Sequence, residues 1–456
     1  MSRSLTPRLF RSFKVVGTPI RIGVRRQSGA IFSSPQEHIK TRVSVDDSSE
    51  YGPEGLIRPV SLPLSVTQKR TAEFGQFWLR ENCRCDECMS KETRQRSVDT
   101  FSIPPNIKVT HFVSGNQGVR VTFSDGHVST YEHEWLKIHE PTKQTELRKL
   151  EWKPKFRPFK AINPTVRDPE YPTVPYKRIM AAHDEGLRLW LTKIHEYGFC
   201  FVEDVPVTPE ATEALLKRIA FIRHTHYGGF WDFTADMTYK DTAYTSEALG
   251  AHTDNTYFTD PARLQLFHLL SHEGGEGGSS LLVDGFKAAW ALAQEDWTHA
   301  QILNSVPQPF HSSGNDYVCI TPAKEFPVFN DHEDAYGWLH QIRWNNYDRA
   351  PKSNWTLKQQ EMWYRAAEHF DRIIHRPEME IWTQLEPGTA LIFDNWRMLH
   401  GRSAFTGKRR MCGGYINNDD FLSRLRLLKY GREHVLRYLG SYKGPHFTKD
   451  NPNLLI

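Results

Sequence analysis

The stretch Gly250–Phe258, GAHTDNTYF, places one residue between His252 and Asp254. On an extended strand, residues two apart point to the same face, so both side chains can reach one metal ion. A single His-x-Asp pair is common by chance, and a polar turn beside a strand is its ordinary explanation. The metal interpretation therefore requires a third ligand from elsewhere in the chain.

The stretch at 386–402, EPGTALIFDNWRMLHGR, supplies the best candidate for that ligand, His400. Pro387 and Gly388 predict a turn, TALIF predicts a buried strand, and His400 is expected just past the end of that strand. Two histidines and one carboxylate form the facial triad of non-haem Fe(II) oxygenases, which leaves the other face of the metal open. That open face suits a bidentate co-substrate and dioxygen.

A 2-oxoglutarate co-substrate needs a charged partner for its far carboxylate, and a guanidinium fork is the best geometric match. Arg409 and Arg410 begin the next predicted strand, RRMCGGY. Alternation along a strand puts them on opposite faces, so only one of them points inward. Ser280, in GGSSLLVDGF, is a candidate donor of a hydroxyl to the same carboxylate.

The composition is that of a globular protein. The 456 residues suffice for about two or three domains, with 39% apolar and 25% charged residues. A net charge of +4 gives little indication of a nucleic-acid partner, and no apolar run approaches the roughly 18 residues of a membrane span. We therefore expect no nucleic-acid partner and no membrane span.

The first 36 residues differ from the rest of the chain, because they are basic and contain no Asp or Glu. This composition is typical of a mitochondrial transit peptide, and a disordered basic tail is the alternative. We assign residues 1–50 to a transit peptide with a flexible joint, and expect the mature protein in the mitochondrial matrix.

Short alternating segments such as VRVTF, with a hairpin signal in SDGH, predict a small β domain at 51–150. Six prolines between 154 and 175 predict a linker or wrapping arm at 151–177. Residues 178–456 are predicted to form the catalytic domain. Helices are expected before Gly198, after Thr208, near 357–374 and around FLSRLRLLKYG, with mostly short strands and loops from 240 to 420. The pattern predicts a mainly β fold with flanking helices, either a barrel or a double-sheet jelly roll whose mouth holds a ligand.

Three of the six cysteines, Cys83, Cys85 and Cys88, lie within six residues. In a reducing compartment such a cluster favours a metal site over disulfides. The remaining three are expected to be buried thiols; they are Cys200, Cys319 and Cys412.

Taken in order, these motifs resemble the Fe(II)/2-oxoglutarate oxygenases of carnitine biosynthesis, the trimethyllysine and γ-butyrobetaine dioxygenase family. The resemblance runs from about residue 70 to 430 and includes HTD, DNWRMLHGR, DTAYT, LLVDGF, WNNYDRA and CGGY. It implies a double-stranded β-helix with a small N-terminal zinc domain, and His252, Asp254 and His400 as iron ligands. It also implies Fe(II), 2-oxoglutarate as co-substrate, ascorbate as reductant, structural Zn(II) and a homodimer.

The resemblance also selects between neighbouring residues. It places Arg409, rather than Arg410, on 2-oxoglutarate, because the family arginine lies six residues before the tyrosine that is Tyr415 here. It selects His127 over His133 as the fourth zinc ligand, from its spacing to a Trp-Leu pair. A Cys3His set closes a tetrahedral zinc site, so we expect a structural role. A docking module for protein or nucleic acid is the alternative for this region.

A trimethylammonium group carries a permanent charge and no hydrogen-bond donor, so an aromatic cage is its natural site. Four aromatic residues match the family cage: Tyr227, Trp231, Tyr244 and Tyr415. Core packing is the better explanation for any one of them taken alone, and it is their joint match to the family that favours a cage. Asn345, in WNNYDRA, is a candidate for the substrate carboxylate.

Asp241 separates the two branches of the family, because the butyrobetaine branch has a neutral Asn at this position. A carboxylate pairs with the α-ammonium of trimethyllysine and repels the acid end of butyrobetaine. The expected reaction is therefore C3 hydroxylation of Nε-trimethyllysine, the first step of carnitine biosynthesis. The alternative is γ-butyrobetaine hydroxylation, which the full three-cysteine pattern favours, and a non-catalytic module that binds methylated amines is a lesser one.

Overall fold

The structure is a computed structural model that describes residues 59–66, 70–141, 160–165, 170–234, 245–331, 339–352 and 355–437. The predicted transit peptide and joint at 1–50 lie outside these residues, as do Asp241 and Tyr244. Within the described residues, no helix is long and apolar enough to cross a membrane.

The N-terminal region consists of short strands, as its alternating sequence predicts. The strands form an antiparallel pair and an antiparallel meander: β1 (Pro59–Pro63) with β2 (Thr71–Gly75), and β3 (Val109–Gly115), β4 (Gly118–Phe123) and β5 (Val128–Tyr131). The helix Gln76–Glu81 and a 3-10 turn at Thr100–Ser102 lie between β2 and β3, and the helix His133–Ile138 follows β5. Alternation along β4 buries Val119, Val121 and Phe123 in a hydrophobic core that belongs to this region.

The catalytic region is built on two facing sheets and a small hairpin. The major sheet has the order β6-β7-β15-β10-β17-β8, the minor sheet β14-β11-β16-β9, and β12 pairs with β13. The strands are β6 (Thr173–Pro175), β7 (Phe199–Glu203), β8 (Trp231–Thr234), β9 (Leu249–His252), β10 (Leu264–Glu273), β11 (Ser280–Asp284), β12 (Phe329–Asp331), β13 (Leu339–Ile342), β14 (Glu380–Thr383), β15 (Ala390–Asp394), β16 (Met398–Arg402) and β17 (Lys408–Ile416).

The chain alternates between these sheets. Strands β8 to β11 lie in the major, minor, major and minor sheet in turn, and β14 to β17 run from the minor to the major sheet in the same alternating way. All pairings among these eight strands are antiparallel. This topology is a double-stranded β-helix, so the predicted jelly roll is confirmed.

Helices cover the outer faces of both sheets. They span Tyr176–Ile179, Glu185–Tyr197, Pro209–Ile219, Gly285–Glu295, Trp297–Ser305, Leu357–Ile374, Asn418–Tyr430 and Arg432–Arg437. The helices at 185–197, 209–219 and 418–430 share a core with the major sheet, and those at 285–305 and 357–374 share one with the minor sheet. The central strand β15 is therefore buried along its whole length, as its continuous apolar run indicates.

The predicted helix ends agree with the structure. Gly198 ends one helix in the left-handed region, at φ 85°, and the Thr208 hydroxyl caps the next. The expectation of mostly short strands and loops from 240 to 420 did not include the two helices that begin after Asp284 and Asp296. Both carboxylates cap helix N-termini, and this signal was present in the sequence.

The end of the proline-rich segment at 151–177 is attached to the major sheet, because β6 pairs in parallel with β7. The backbone of Lys160 also bonds to Glu196, which supports the wrapping-arm interpretation. Cys319 is exposed rather than buried, whereas Cys200 and Cys412 are buried as expected. Its neighbour Ile320 pairs with Ser312 in a short surface bridge, which leaves no core for the thiol to enter.

A buried ion pair joins several of these layers. Arg397 donates to the Asp284 carboxylate at 2.6 Å, and also to the main-chain oxygens of Glu196 and Lys160 at 3.0 Å. The side chains of the ion pair are only 3% and 7% exposed. Removal of Arg397 therefore leaves the buried Asp284 carboxylate without its cation, with only the N–H groups of the helix it caps as its partners among the described residues.

We expect Arg397→Ala to lower the free energy of unfolding by about 3–5 kcal/mol, measured by urea denaturation. Arg365→Ala, which removes an exposed helical ion pair with Glu361, is the control and should change it by less than about 1 kcal/mol. Equal effects of the two substitutions would contradict the structural role given to Arg397.

Candidate active site and second metal centre

The register of the minor sheet brings the two candidate histidines together. His252 is the last residue of β9, and His400 lies in the middle of β16 as its direct antiparallel partner. Their ring centroids are 4.4 Å apart. His400 is therefore inside a strand, and the expectation that it follows the end of the preceding strand is wrong, because the chain turns at 395–397 and re-enters the opposite sheet.

Asp254 reaches the same place by a different route. It lies in a turn rather than on an extended strand, so the strand-alternation argument for this residue is wrong. The next residue, Asn255, is left-handed at φ 59°, a conformation that Asn tolerates. The Asn395 side chain holds the turn: its oxygen accepts the Asp254 N–H at 2.7 Å, and its nitrogen donates to the carbonyls of Asp254 and Ala262 at 3.0 Å.

The three side chains converge on one point. The Asp254 Oδ1 lies 3.2 Å from the Nε2 of His252 and 3.6 Å from the Nε2 of His400. The other oxygen of Asp254 accepts from Gln265 and from the Tyr415 hydroxyl, both at 2.8 Å. The Nδ1 of His252 donates to the Gly250 carbonyl at 2.8 Å, which leaves its Nε2 lone pair facing Asp254 and His400. The donor set fits a metal held on one face.

The electrostatics favour the same conclusion. Burial and the neighbouring His252 lower the pKa of His400 to about 3, so this imidazole is neutral at physiological pH. For Asp254, burial alone would raise the pKa, but His400, His252 and the Tyr415 hydroxyl hold it well below its usual range. The ionised Asp254 and the neutral His400 are in the protonation states that metal binding requires. For His252, burial would lower the pKa, but the hydrogen bond to Asp254 raises it, so an ion must displace a proton there.

The candidate co-substrate residues line the cavity in front of the three ligands. Ser280 and Arg409 both face it, and Arg409 is buried. Arg410 points to the opposite face and pairs with Asp232 at 2.8 Å. Burial lowers the pKa of Arg409 to about 10, which still leaves it charged. Among the described residues its Nε has no hydrogen-bond partner, so the guanidinium is available to a ligand carboxylate.

Aromatic side chains form another wall of the same cavity. Tyr227, Trp231 and Tyr415 all line it, and the rings of Trp231 and Tyr415 are 6.0 Å apart at 71°. Tyr415 has a second contact, because its hydroxyl donates to Asp254. Tyr257, which the sequence analysis left out, lies in the same wall with its hydroxyl 3.2 Å from that of Tyr227.

Asn345 lines the cavity, but its amide is already engaged in a turn. Its nitrogen donates to the Asp348 carboxylate at 2.7 Å, and its oxygen accepts from the main-chain N–H of Tyr347 at 2.8 Å. The carboxylate of Asp348 lines the same cavity. The structure thus adds a negative charge beside Asn345 that the sequence analysis did not identify, although Asp348 lies within the quoted motif WNNYDRA.

Two other residues were also missed, Asn395 and Gln265. Asn395 directly follows the buried strand β15, and Gln265 is a polar residue inside the apolar strand β10. A polar residue in or just after a buried strand is the signal that would have identified both, because buried amides must be hydrogen-bonded.

The cysteine cluster forms a second centre in the N-terminal region. The Nε2 of His127 lies 3.2 Å from the sulfur of Cys83, 3.6 Å from that of Cys85 and 3.5 Å from that of Cys88. His133 lies elsewhere, with its Nδ1 3.2 Å from the Pro63 carbonyl. Three sulfurs around one imidazole nitrogen fit a closed tetrahedral site, which leaves no position for a substrate.

A double-stranded β-helix with two histidines, one aspartate and a buried arginine around its cavity defines the Fe(II)- and 2-oxoglutarate-dependent oxygenase class. The chain belongs to the taurine catabolism dioxygenase TauD, TfdA family, whose model matches residues 157–415. Residues 60–137 match a second model, described as gamma-butyrobetaine hydroxylase-like, N-terminal.

Three curated relatives show how the chain is placed within this class. It is 43% identical to trimethyllysine dioxygenase of Neurospora crassa, over 89% of this chain and 92% of the relative. It is 38% identical to the mitochondrial trimethyllysine dioxygenase of Homo sapiens, over 78% and 82%. Identity to gamma-butyrobetaine dioxygenase of Pseudomonas sp. (strain AK-1) is lower, at 31% over 79% and 91%.

We expect Asn395→Ala to weaken Fe(II) binding about 10- to 100-fold, because the turn carrying Asp254 loses its support. Titration with Fe(II) under anaerobic conditions measures this change. The matched control is Asn304→Ala, whose amide donates to the Phe329 carbonyl far from the cavity in sequence and fold. Unchanged iron affinity in Asn395→Ala would show that the turn holds its conformation without this side chain.

Proposed function

We propose that this protein hydroxylates Nε-trimethyllysine at C3 to give 3-hydroxy-Nε-trimethyllysine, the first step of carnitine biosynthesis. The observation that carries the proposal is the aromatic wall of Tyr227, Trp231 and Tyr415 in the cavity that also contains the His252, Asp254 and His400 set. The higher identity to relatives named trimethyllysine dioxygenase than to one named gamma-butyrobetaine dioxygenase supports the choice of substrate.

Each part of the cavity has a separate task. Iron held by His252, Asp254 and His400 would supply dioxygen activation coupled to the decarboxylation of 2-oxoglutarate. Arg409 pairs with the far carboxylate of 2-oxoglutarate, and Ser280 donates a hydroxyl to it. These contacts fix the co-substrate at one end of the cavity and leave the other end for the amine.

The substrate end combines aromatic faces with negative charge. The aromatic wall attracts a trimethylammonium group through its ring quadrupoles, by about 0.5–2 kcal/mol for each good contact. Tyr244, from the same sequence motif as Asp241, would complete the cage. Apolar side chains such as Phe267, Leu391 and Phe393 line the remaining cavity and exclude water from the reacting carbon. Together these contacts would hold C3 in a fixed position relative to the iron ligands.

A paired turnover assay tests the proposal. The chain from about residue 37 is supplied with Fe(II), 2-oxoglutarate, ascorbate and oxygen. Trimethyllysine or γ-butyrobetaine is added separately, and the mass of the product is measured by mass spectrometry. We expect the mass of one added oxygen on trimethyllysine. Addition only to γ-butyrobetaine would establish the alternative, and addition to neither, while 2-oxoglutarate is still consumed, would show that another amine is the substrate.

We expect two carboxylates to favour trimethyllysine over γ-butyrobetaine. Asp241 was identified from the sequence, and Asp348 lines the cavity in the structure. We expect Asp241→Asn and Asp348→Asn each to lower kcat/KM for trimethyllysine at least about tenfold, with less loss for an analogue without the α-ammonium. Asp371→Asn, on the exposed face of the helix at 357–374, is the control. An equal loss for both substrates would indicate a general defect in place of charge selection.

We also propose that Cys83, Cys85, Cys88 and His127 bind structural Zn(II). Cys88→Ser should abolish zinc retention after dialysis against a chelator and lower the melting temperature, because folding of such a site is linked to metal binding. Cys319→Ser, at an exposed thiol, is the matched control. Retention of one zinc per chain by Cys88→Ser would remove that sulfur from the ligand set.

The remaining features of the proposal come from the sequence and from relatives. Rat, mouse and human relatives are named mitochondrial, which supports a mitochondrial location, and the basic segment at 1–36 supports import into the matrix. Homodimer formation and the use of ascorbate as reductant are proposed from the family resemblance.

A further inference from the structure

A third group of side chains that could hold a metal lies among the helices behind the minor sheet. Asp296 and His299 belong to the start of the helix Trp297–Ser305, and His369 lies on the helix Leu357–Ile374. One ligand atom from each of these three side chains lies within 4.8 Å of the ligand atoms of the other two. None of them lines the catalytic cavity or belongs to the cysteine cluster.

The imidazole rings of His299 and His369 approach each other through their Nδ1 atoms. The Nδ1 of His299 is 3.0 Å from the Nδ1 of His369, and 3.5 Å from the Oδ2 of Asp296. The other oxygen of Asp296 accepts the main-chain N–H of His299, which fixes the carboxylate as a helix cap. The two rings are nearly perpendicular, at 82°.

A carboxylate outside the group sets the orientation of His369. The Nε2 of His369 donates to Glu295 at 3.0 Å, so in the neutral ring the Nδ1 carries a lone pair directed at His299. Arg376 in turn holds Glu295 with contacts of 2.6 and 2.9 Å. A carboxylate that fixes one nitrogen of a histidine while the other faces a cation is a common arrangement around protein metals.

The spacing of the nitrogens indicates which ions fit. Two metal–nitrogen bonds of about 2.1 Å span 3.0 Å only at an angle of roughly 90°. That angle suits neighbouring positions in tetragonal or octahedral geometry, which Cu²⁺ and Ni²⁺ adopt, rather than tetrahedral Zn²⁺. The side chains of Asp296, His299 and His369 are 37%, 24% and 15% exposed, so an ion can enter and water can complete its coordination.

We propose that Asp296, His299 and His369 form a further cation site for one Cu²⁺ or Ni²⁺ ion, separate from the catalytic and cysteine centres. Without the ion, His299 donates its Nδ1–H to the Nδ1 of His369. When the ion binds, this proton moves through solvent to the Nε2 of His299, so both imidazoles stay neutral and both Nδ1 lone pairs are free for the ion. The ion joins the helix at 297–305 to the helix at 357–374, so its occupancy stabilises this helical layer.

Nickel uptake by the full chain tests the proposal. The background carries Asp254→Ala, so that the catalytic ligands contribute little uptake, and retains its cysteine centre. After equilibration with NiCl₂ and gel filtration, metal is counted by mass spectrometry. We expect one fewer nickel per chain in His369→Gln than in the background, and no change in His375→Gln, a control near the end of the same helix.

Asp296→Asn serves as a second variant, because Asn caps helices as well as Asp and preserves the fold. It should weaken nickel binding about tenfold or more, with loss of the nickel-dependent rise in melting temperature. Equal nickel content in the background and in both variants would overturn the site. A loss in His375→Gln as large as that in His369→Gln would do the same, since it would indicate non-specific uptake by surface histidines.

Discussion

The side chain of Asn395 connects the two sheets at the mouth of the β-helix. It follows a strand of the major sheet, yet its three hydrogen bonds fix the turn that carries Asp254 after a strand of the minor sheet. Asn395 is almost fully buried, so each of these bonds is needed to offset the loss of water. Cross-strand register is enough to bring His252 and His400 together. Asp254, the third candidate ligand, lies in a turn, so its position depends on the hydrogen bonds of Asn395.

A second buried side chain supports the same loop from the other side. Arg343 donates to the main-chain oxygens of Thr256, Phe258 and Thr259 at 2.7–3.0 Å, and its guanidinium lies 3.7 Å from the ring of Phe326. Burial lowers the pKa of Arg343 to about 9, which leaves it charged at neutral pH. The Arg343 guanidinium thereby holds the loop after Asp254, and the three carbonyl dipoles compensate its buried charge. These hydrogen bonds make the cavity wall rigid.

The catalytic and cysteine centres are candidate metal sites that differ in ways that match the roles proposed for them. The cysteine centre is formed by residues of one small region, and its four candidate ligands would enclose an ion completely. The catalytic centre takes its ligands from two strands and a turn, and leaves one side facing a cavity lined by Arg409 and aromatic rings. The cavity requires rigid walls because the co-substrate and the amine must meet at a fixed distance, and the helical layers on both sheets provide them.

The candidate ligand types and most of the elements around the site can be predicted from the local sequence. Ligand types, the apolar strand β15, the helix capped at Thr208 and the alternation of Arg409 with Arg410 all follow from local pattern, because side-chain period and capping are local properties. Three features come from the packing of the folded chain. Asp254 is presented by a turn, Asn345 is engaged with Asp348, and Asn395 supports a candidate ligand 141 residues away. These contacts depend on which strands become neighbours, and strand pairing is set by the packing of the whole chain rather than by any short segment.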